Sequence, residues 1–138
     1  MKILGIDYGD ARIGLALSDD LQVTAQGYGV VNVKKTRDVY GEIAAIARAK
    51  GVTLFVVGMP RNMNGSYGER AEVTRAFGEK LTAATGIPVE WVDERLTTVS
   101  VNRVLVEGNV SRGKRKQVVD KLAAVLILQT YLDRNGRA

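Results

Sequence analysis

Short apolar runs bounded by turn residues occupy the first quarter of the chain, with the lengths and residue types of β-strands. The strand-like segments are residues 2–8, 12–18 and 28–33. A turn that contains Gly9 and Asp10 separates the first two segments, which predicts a hairpin. Together the segments predict an antiparallel meander of three strands.

The apolar spacing then changes to the period of an α-helix and alternates with two further strands. Helical spacing covers residues 36–51, 66–86 and 117–136, and a shorter helix is predicted from Thr97 or Thr98 to Glu107. Ser66 followed by Glu69 forms a capping-box pattern at the start of the second helix. Residues 53–58 form a short continuous apolar run, typical of a buried parallel strand, and residues 87–92 are predicted as the fifth strand.

The order of elements, β-β-β-α-β-α-β-α-α, predicts an α/β fold in one domain over residues 1–138. Two right-handed crossovers extend the meander into a five-stranded mixed sheet of order 3-2-1-4-5, flanked by helices, with strands 1, 4 and 5 parallel. Ligands of such sheets bind outside the carboxyl ends of the parallel strands. Asp7, the loop after Gly58, and the pair Asp93 and Glu94 follow those ends, so we expect them at one edge.

Carboxylates carry the candidate chemistry, because the chain contains no Cys and no His. Asp7 ends the central strand, where an ionised carboxylate loses hydration and needs hydrogen bonds, a cation or a metal. One interpretation is that Asp7 only accepts hydrogen bonds from the turn at 9–12. The other is that Asp7 forms a cluster of acids with Asp93 and Glu94. Asp93 and Glu94 have an alternative of their own, because acids after a strand also cap the helix that follows. Asp120 is predicted in the first turn of the final helix. It belongs to the same cluster of acids, or it only caps that helix and interacts favourably with the helix dipole. A cluster of these acids suits hard cations, which prefer oxygen ligands.

Basic residues outnumber acidic ones, 20 to 15, and the net charge of +5 favours a polyanionic partner. Arg112, Lys114, Arg115 and Lys116 fall within five positions, in a polar break that we expect to be mobile. A basic segment beside a carboxylate cluster suits a phosphodiester held near two hydrolytic ions, Mg²⁺ or Mn²⁺. The chain has no signal-peptide pattern and no apolar run near the ~20 residues of a membrane span, so we expect a cytoplasmic protein without a membrane partner.

Four motifs span nearly the whole chain: GIDYGDARIGLALSD, VVGMPRNMNGSYGERA, VDERLTT and KRKQVVDKLAAVLILQTYL. In these motifs the chain resembles the YqgF group of RNase H-like nucleases, also described as pre-16S rRNA nucleases or Holliday junction resolvase-like proteins. The resemblance implies an RNase H-like fold with Asp7, Glu94 and Asp120 as metal-binding catalytic acids. Asp93 would be a further ligand or would anchor its loop through Arg95. Many RNase H relatives carry an acid at the end of the fourth strand, where this chain has Gly-Met-Pro, so the acids of DER would fill that role.

The same resemblance implies a nucleic-acid-binding set around the acids: Arg12, Arg61, Asn62, Arg95, Lys114, Arg115 and Lys116. It implies a divalent-metal-dependent endonuclease, monomeric or homodimeric, that acts on structured RNA in 5′-end maturation of pre-16S rRNA on pre-ribosomal particles. A resolvase of branched DNA is the first alternative. A second alternative is a non-catalytic module that binds nucleic acid. A third is a nucleotide-binding protein, because DYGDARIG is similar to the phosphate-binding hairpin of actin and sugar-kinase ATPases. Tyr8 and Tyr67 flank the loops that we expect at the ligand-binding edge of the sheet. Each has two alternatives, stacking on a nucleic-acid base or packing within its own loop.

Overall fold

The computed structural model describes residues 1–60, 67–94 and 112–135, with all side chains of these ranges except those of residues 112–119. The predicted helix that ends near Glu107 lies outside the described residues. Among the helices that are described, none is long and apolar enough to cross a membrane.

Five strands form one mixed sheet of order β3-β2-β1-β4-β5, which confirms the predicted topology. The strands are β1 (Lys2–Asp7), β2 (Arg12–Ser18), β3 (Ala25–Asn32), β4 (Val52–Met59) and β5 (Val89–Asp93). The first three form the antiparallel meander, and β1, β4 and β5 are parallel. β3 starts at Ala25, ahead of the predicted residue 28, because its first residues pair with the end of β2.

Helices cover both faces of this sheet, and each face has its own apolar core. The helices are α1 (Val39–Lys50), α2 (Glu69–Thr85) and α3 (Arg112–Asn135). Leu4 of β1 belongs to the core under α1 and α2, whereas its neighbour Ile3 belongs to the core under α3, together with Leu128. The alternation of side chains along each strand therefore decides which helix layer a residue faces.

The boundaries of α1 and α2 follow different capping chemistry. The carboxylate of Asp38 accepts a hydrogen bond from the amide of Gly41 at 3.0 Å, and Gly51 ends α1 in the left-handed conformation, with φ 71°, where the sequence predicts the stop. α2 begins at Glu69 with Gly68 as its N-cap and has no capping hydrogen bond from a side chain. Glu69 is thus the first residue of α2, and Ser66, the other residue of the predicted capping box, lies outside the described residues.

The start of α3 also differs from the prediction. It begins at Arg112, five residues before residue 117, so the backbone of residues 112–116 is helical and not part of a break between helices. The rest of the predicted break lies outside the described residues. Arg, Lys and Gln have high helix propensity, which allows a basic run to continue a helix instead of interrupting it. Asp120 lies eight residues beyond Arg112. The dipole effect is confined to the first turn, so it does not account for this acid.

Two glycines allow α3 to pack closely on the sheet. A Cβ atom at Gly5 would lie 2.6 Å from Cβ of Leu128, and one at Gly14 would overlap the carbonyl oxygen of Asp120. A strand residue with a side chain at either position would push the helix away. The close contact at Gly14 holds Asp120 against the first half of β2.

Candidate active site

A cleft of about 240 Å³ opens at the carboxyl ends of β1 and β4. Three acids line it, each from a different part of the chain: Asp7, Glu94 and Asp120. Two arginines, Arg12 and Arg70, line it as well. The three acids therefore lie together at one edge of the sheet, as the sequence predicts.

Asp7 is the most buried of these acids, with 7% of its surface exposed. Ile3 packs in the α3 core and Gly5 contacts Leu128, so the alternation along β1 directs Asp7 toward the same face. Asp120 reaches that face from α3, one helical turn before the buried Ala124. The strand period and the helix period therefore bring the two carboxylates to one side of the sheet.

Glu94 occupies the space above the end of β4. A Cβ atom at Gly58 would lie 2.9 Å from Oε1 and 3.1 Å from Cγ of Glu94. Many RNase H relatives carry an acid at the end of the fourth strand. In this chain the carboxylate of Glu94, which follows β5, occupies the corresponding space. Its predecessor Asp93 lies two residues after Trp91, on the same face of β5, and the Trp91 ring packs on Gly78 of α2. Asp93 is not among the described residues that line the cleft.

Arg12 and Asp120 form an ion pair across the cleft. Nε of Arg12 donates to Oδ2 of Asp120 at 2.6 Å, and the side chains are 30% and 17% exposed. A short contact between charged groups that are partly withdrawn from water is stronger than an exposed surface pair. Arg12, expected to bind nucleic acid, thus contacts one of the predicted metal ligands.

Arg70 lines the cleft although the sequence motifs gave it no role, because helical periodicity does not distinguish it from the other polar residues of its helix. Its guanidinium donates to the carboxylate of Asp10 at 2.8 Å and to the carbonyl oxygen of Tyr8 at 3.1 Å. Both acceptors belong to the turn that follows Asp7. The available signal was the place of Arg70 in the first turn of α2, directly after the loop that follows β4.

Tyr8 packs within the protein. Its ring stacks on Phe77 with a centroid distance of 4.3 Å, and the Arg70 guanidinium lies 5.4 Å from the ring centroid. Tyr40 packs on Phe77 from α1, and burial raises the pKa of its hydroxyl. These contacts favour the packing alternative for Tyr8. Tyr67 is half exposed, with Arg75 5.5 Å from its ring centroid.

Several predicted nucleic-acid-binding residues lie outside the described part of the chain. They are Arg61, Asn62 and Arg95, together with the side chains of Lys114, Arg115 and Lys116. Only the helical backbone of the last three is described.

The donor chemistry of the cleft fits a hard divalent cation. All three acids offer carboxylate oxygens, which such ions prefer, and nearly complete burial of Asp7 favours a counter-charge. Within the described ranges, no three His, Cys, Asp or Glu side chains are grouped closely enough to hold a metal ion as they stand. One of the acids, Asp120, is in contact with Arg12 instead.

Comparisons with known proteins agree with this architecture. A "Putative pre-16S rRNA nuclease" of Symbiobacterium thermophilum is 53% identical over 133 residues, which cover 96% of this chain and 92% of that protein. A protein of the same name from Streptococcus gordonii is 47% identical, with 98% and 99% covered.

Among solved structures, Thermus thermophilus RuvC in complex with Holliday junction substrate has a TM-score of 0.57 at 16% identity, covering 100% of this chain and 98% of that one. The fowlpox virus Holliday junction resolvase has a TM-score of 0.54 at 12% identity, with 97% and 99% covered. These likenesses show the fold, the RNase H-like fold that the motifs imply. The RuvX family model, described as Holliday junction resolvase, matches residues 1–134. With this match and relatives about 50% identical, the chain belongs to the RuvX family, the YqgF group that its four motifs indicate.

Proposed function

We propose that residues 1–138 form a single nuclease domain, a divalent-metal-dependent endonuclease that hydrolyses phosphodiester bonds in structured RNA. The observation that carries this proposal is the meeting of Asp7, Glu94 and Asp120 in one cleft. Family membership and relatives named as nucleases support the class of reaction.

Asp7, Glu94 and Asp120 would hold the metal, and Mg²⁺ or Mn²⁺, as two ions, suits their oxygen donors. Resolvase-like nucleases generally use divalent metals. When bound, such ions activate a water molecule and stabilise the leaving oxygen of a phosphodiester. We assign Asp93 to its other predicted role, anchoring its loop, because the alternation of β5 directs it toward α2.

The predicted nucleic-acid-binding residues would contact the nucleic-acid backbone. Arg12 lines the cleft itself, and the positive segment 114–116 is in the same helix as Asp120. Arg61, Asn62 and Arg95 complete the proposed binding set. Contacts to phosphate give affinity without base specificity, which suits recognition of a folded nucleic acid by its shape.

We take precursor 16S rRNA as the substrate, because relatives at about 50% identity are named as pre-16S rRNA nucleases. We further propose that the role is 5′-end maturation on pre-ribosomal particles in the cytoplasm, as the resemblance to the YqgF group implies. The family description favours a second candidate, resolution of branched DNA. A resolvase needs two active sites and hence a homodimer, whereas a monomer suffices to trim RNA.

The decisive experiment replaces Asp7 by asparagine. The wild-type protein should cleave with Mg²⁺ or Mn²⁺ and stop on chelation. Asp7→Asn should bind nucleic acid but lose more than about 100-fold in cleavage rate, beyond the 10–100-fold typical of residues that only support a metal ligand. Asp20→Asn is the matched control, because Asp20 is 74% exposed and is not among the described cleft residues.

Surviving cleavage in Asp7→Asn would contradict the assignment of the acids, and nucleic-acid binding without cleavage by the wild type would favour the non-catalytic alternative. The substrate is tested by offering a precursor rRNA fragment and a four-way DNA junction at matched salt. Cleavage of the junction alone would favour the resolvase.

A further inference from the structure

The ion pair between Arg12 and Asp120 joins two residues that the proposed function assigns to different ligands. Arg12 would bind a backbone phosphate, and Asp120 would bind a metal ion. The 2.6 Å contact between Nε and Oδ2 uses a donor and an acceptor that those ligands need. As long as the pair is intact, each residue is less available to its own ligand.

Close packing keeps the pair together. Gly14 follows Arg12 by two residues in β2, and a Cβ atom there would overlap the carbonyl oxygen of Asp120. The backbones of β2 and α3 are therefore in direct contact at this point. Asp120 thus lies on the part of α3 that packs against the strand of Arg12, and rotation of the two side chains is enough to separate the pair.

We propose that Arg12 is a positioning residue that holds Asp120 until a phosphate of the nucleic acid replaces it, so that nucleic-acid binding and metal binding at the cleft strengthen each other. This inference rests on the proposed function. Because coupling between two ligands is reciprocal, the same factor must appear whichever ligand is added first. The protein would thus complete its metal site mainly when substrate is present.

Arg70 supplies an internal control for this idea. It carries the same charge and lines the same cleft, but its guanidinium bonds to Asp10 and to the carbonyl oxygen of Tyr8. Replacement of either arginine by glutamine removes one positive charge from the cleft. Only Arg12→Gln also releases Asp120.

The first test titrates Mn²⁺ into the metal-free protein by calorimetry, with no nucleic acid present. We expect Arg12→Gln to bind Mn²⁺ at least about fivefold more tightly than Arg70→Gln, the lower end of typical coupling between sites. Equal Mn²⁺ affinities of the two variants would show that only the lost charge matters, which would overturn the proposal.

The second test reads the same coupling from the other side and does not depend on Arg12→Gln folding. Fluorescence anisotropy measures binding of a labelled precursor rRNA fragment in EDTA. Asp120→Ala, which removes the acceptor of Arg12, should bind this RNA at least about fivefold more tightly than Glu94→Ala, which removes one negative charge from the same cleft. Equal affinities would again refute the coupling.

These tests separate the inference from the function on which it rests. If the wild type binds Mn²⁺ and the rRNA fragment while each pair of variants behaves alike, only the coupling is wrong. If the wild type binds neither Mn²⁺ nor the rRNA fragment, the proposed function fails and the coupling fails with it.

Discussion

Replacement of Gly14 by alanine adds a methyl group where β2 touches α3. The new Cβ atom would overlap the carbonyl oxygen of Asp120, lie 2.6 Å from its carbonyl carbon, and lie 3.3 Å from the amide nitrogen of Lys121. All three are backbone atoms within a helix, so they do not swing aside as the end of a flexible side chain does. The helix or the strand must shift.

The expected cost follows from this geometry. Overpacking of a dense core typically costs 1–3 kcal/mol, and a backbone obstacle places Gly14→Ala near ~3 kcal/mol. The lower entropy of the unfolded alanine chain offsets up to ~1 kcal/mol. We therefore expect a net loss of about 2 kcal/mol, which corresponds to a decrease in Tm of roughly 4–8 °C for a chain of this size.

Urea denaturation measures this change, with Gly29→Ala as the matched control. Gly29 lies in the neighbouring strand β3, pairs with Leu15, and has no heavy atom within 4 Å of an added Cβ. We expect Gly29→Ala to be neutral or to gain up to ~1 kcal/mol, because alanine reduces the entropy of the unfolded chain. If Gly14→Ala and Gly29→Ala agree within about 0.5 kcal/mol, the close approach of α3 to β2 is refuted. The physical basis for the pairing of Arg12 with Asp120 would be lost as well.

Two further substitutions test the site and the β2–β3 hairpin. In Gly58→Ala, the new Cβ meets flexible side-chain ends, including Oε1 of Glu94 at 2.9 Å, so we expect a stability loss of only about 1 kcal/mol. Displacement of that carboxylate should lower the cleavage rate at least about tenfold; an unchanged rate in a cleavage assay would contradict the position of Glu94. Backbone hydrogen bonds from Thr24 and Val23 lower the pKa of Asp19, so its contribution to stability is present above the ordinary carboxyl pKa and is lost as pH falls through the lowered value. Melting curves from pH 7 to 3 should therefore show a shallower decrease in Tm for Asp19→Asn than for the wild type, and parallel decreases would refute this.

The local pattern of the chain determined the sheet and two of the three acids of the cleft. Runs such as residues 2–8 and 53–58 have the apolar content of strands, and the handedness of crossovers leaves few ways to order them. Asp7 and the pair Asp93 and Glu94 could be predicted because they lie at strand ends that must reach the ligand-binding edge, and the family resemblance selected Glu94 from the pair. Both properties depend on residues that are neighbours in sequence, which is why sequence patterns report them.

Only the tertiary structure decided how the charges of the cleft are paired. Asp120 contacts Arg12 across 108 positions of the chain, and Glu94 fills the space above Gly58, which belongs to another strand. Arg70 enters the cleft because α2 packs beside the turn after β1. Such contacts depend on how closely helices approach the sheet, and that distance is set by the absence of side chains at positions such as Gly14. Periodicity along the chain carries no information about that distance, because it is a property of two surfaces in contact.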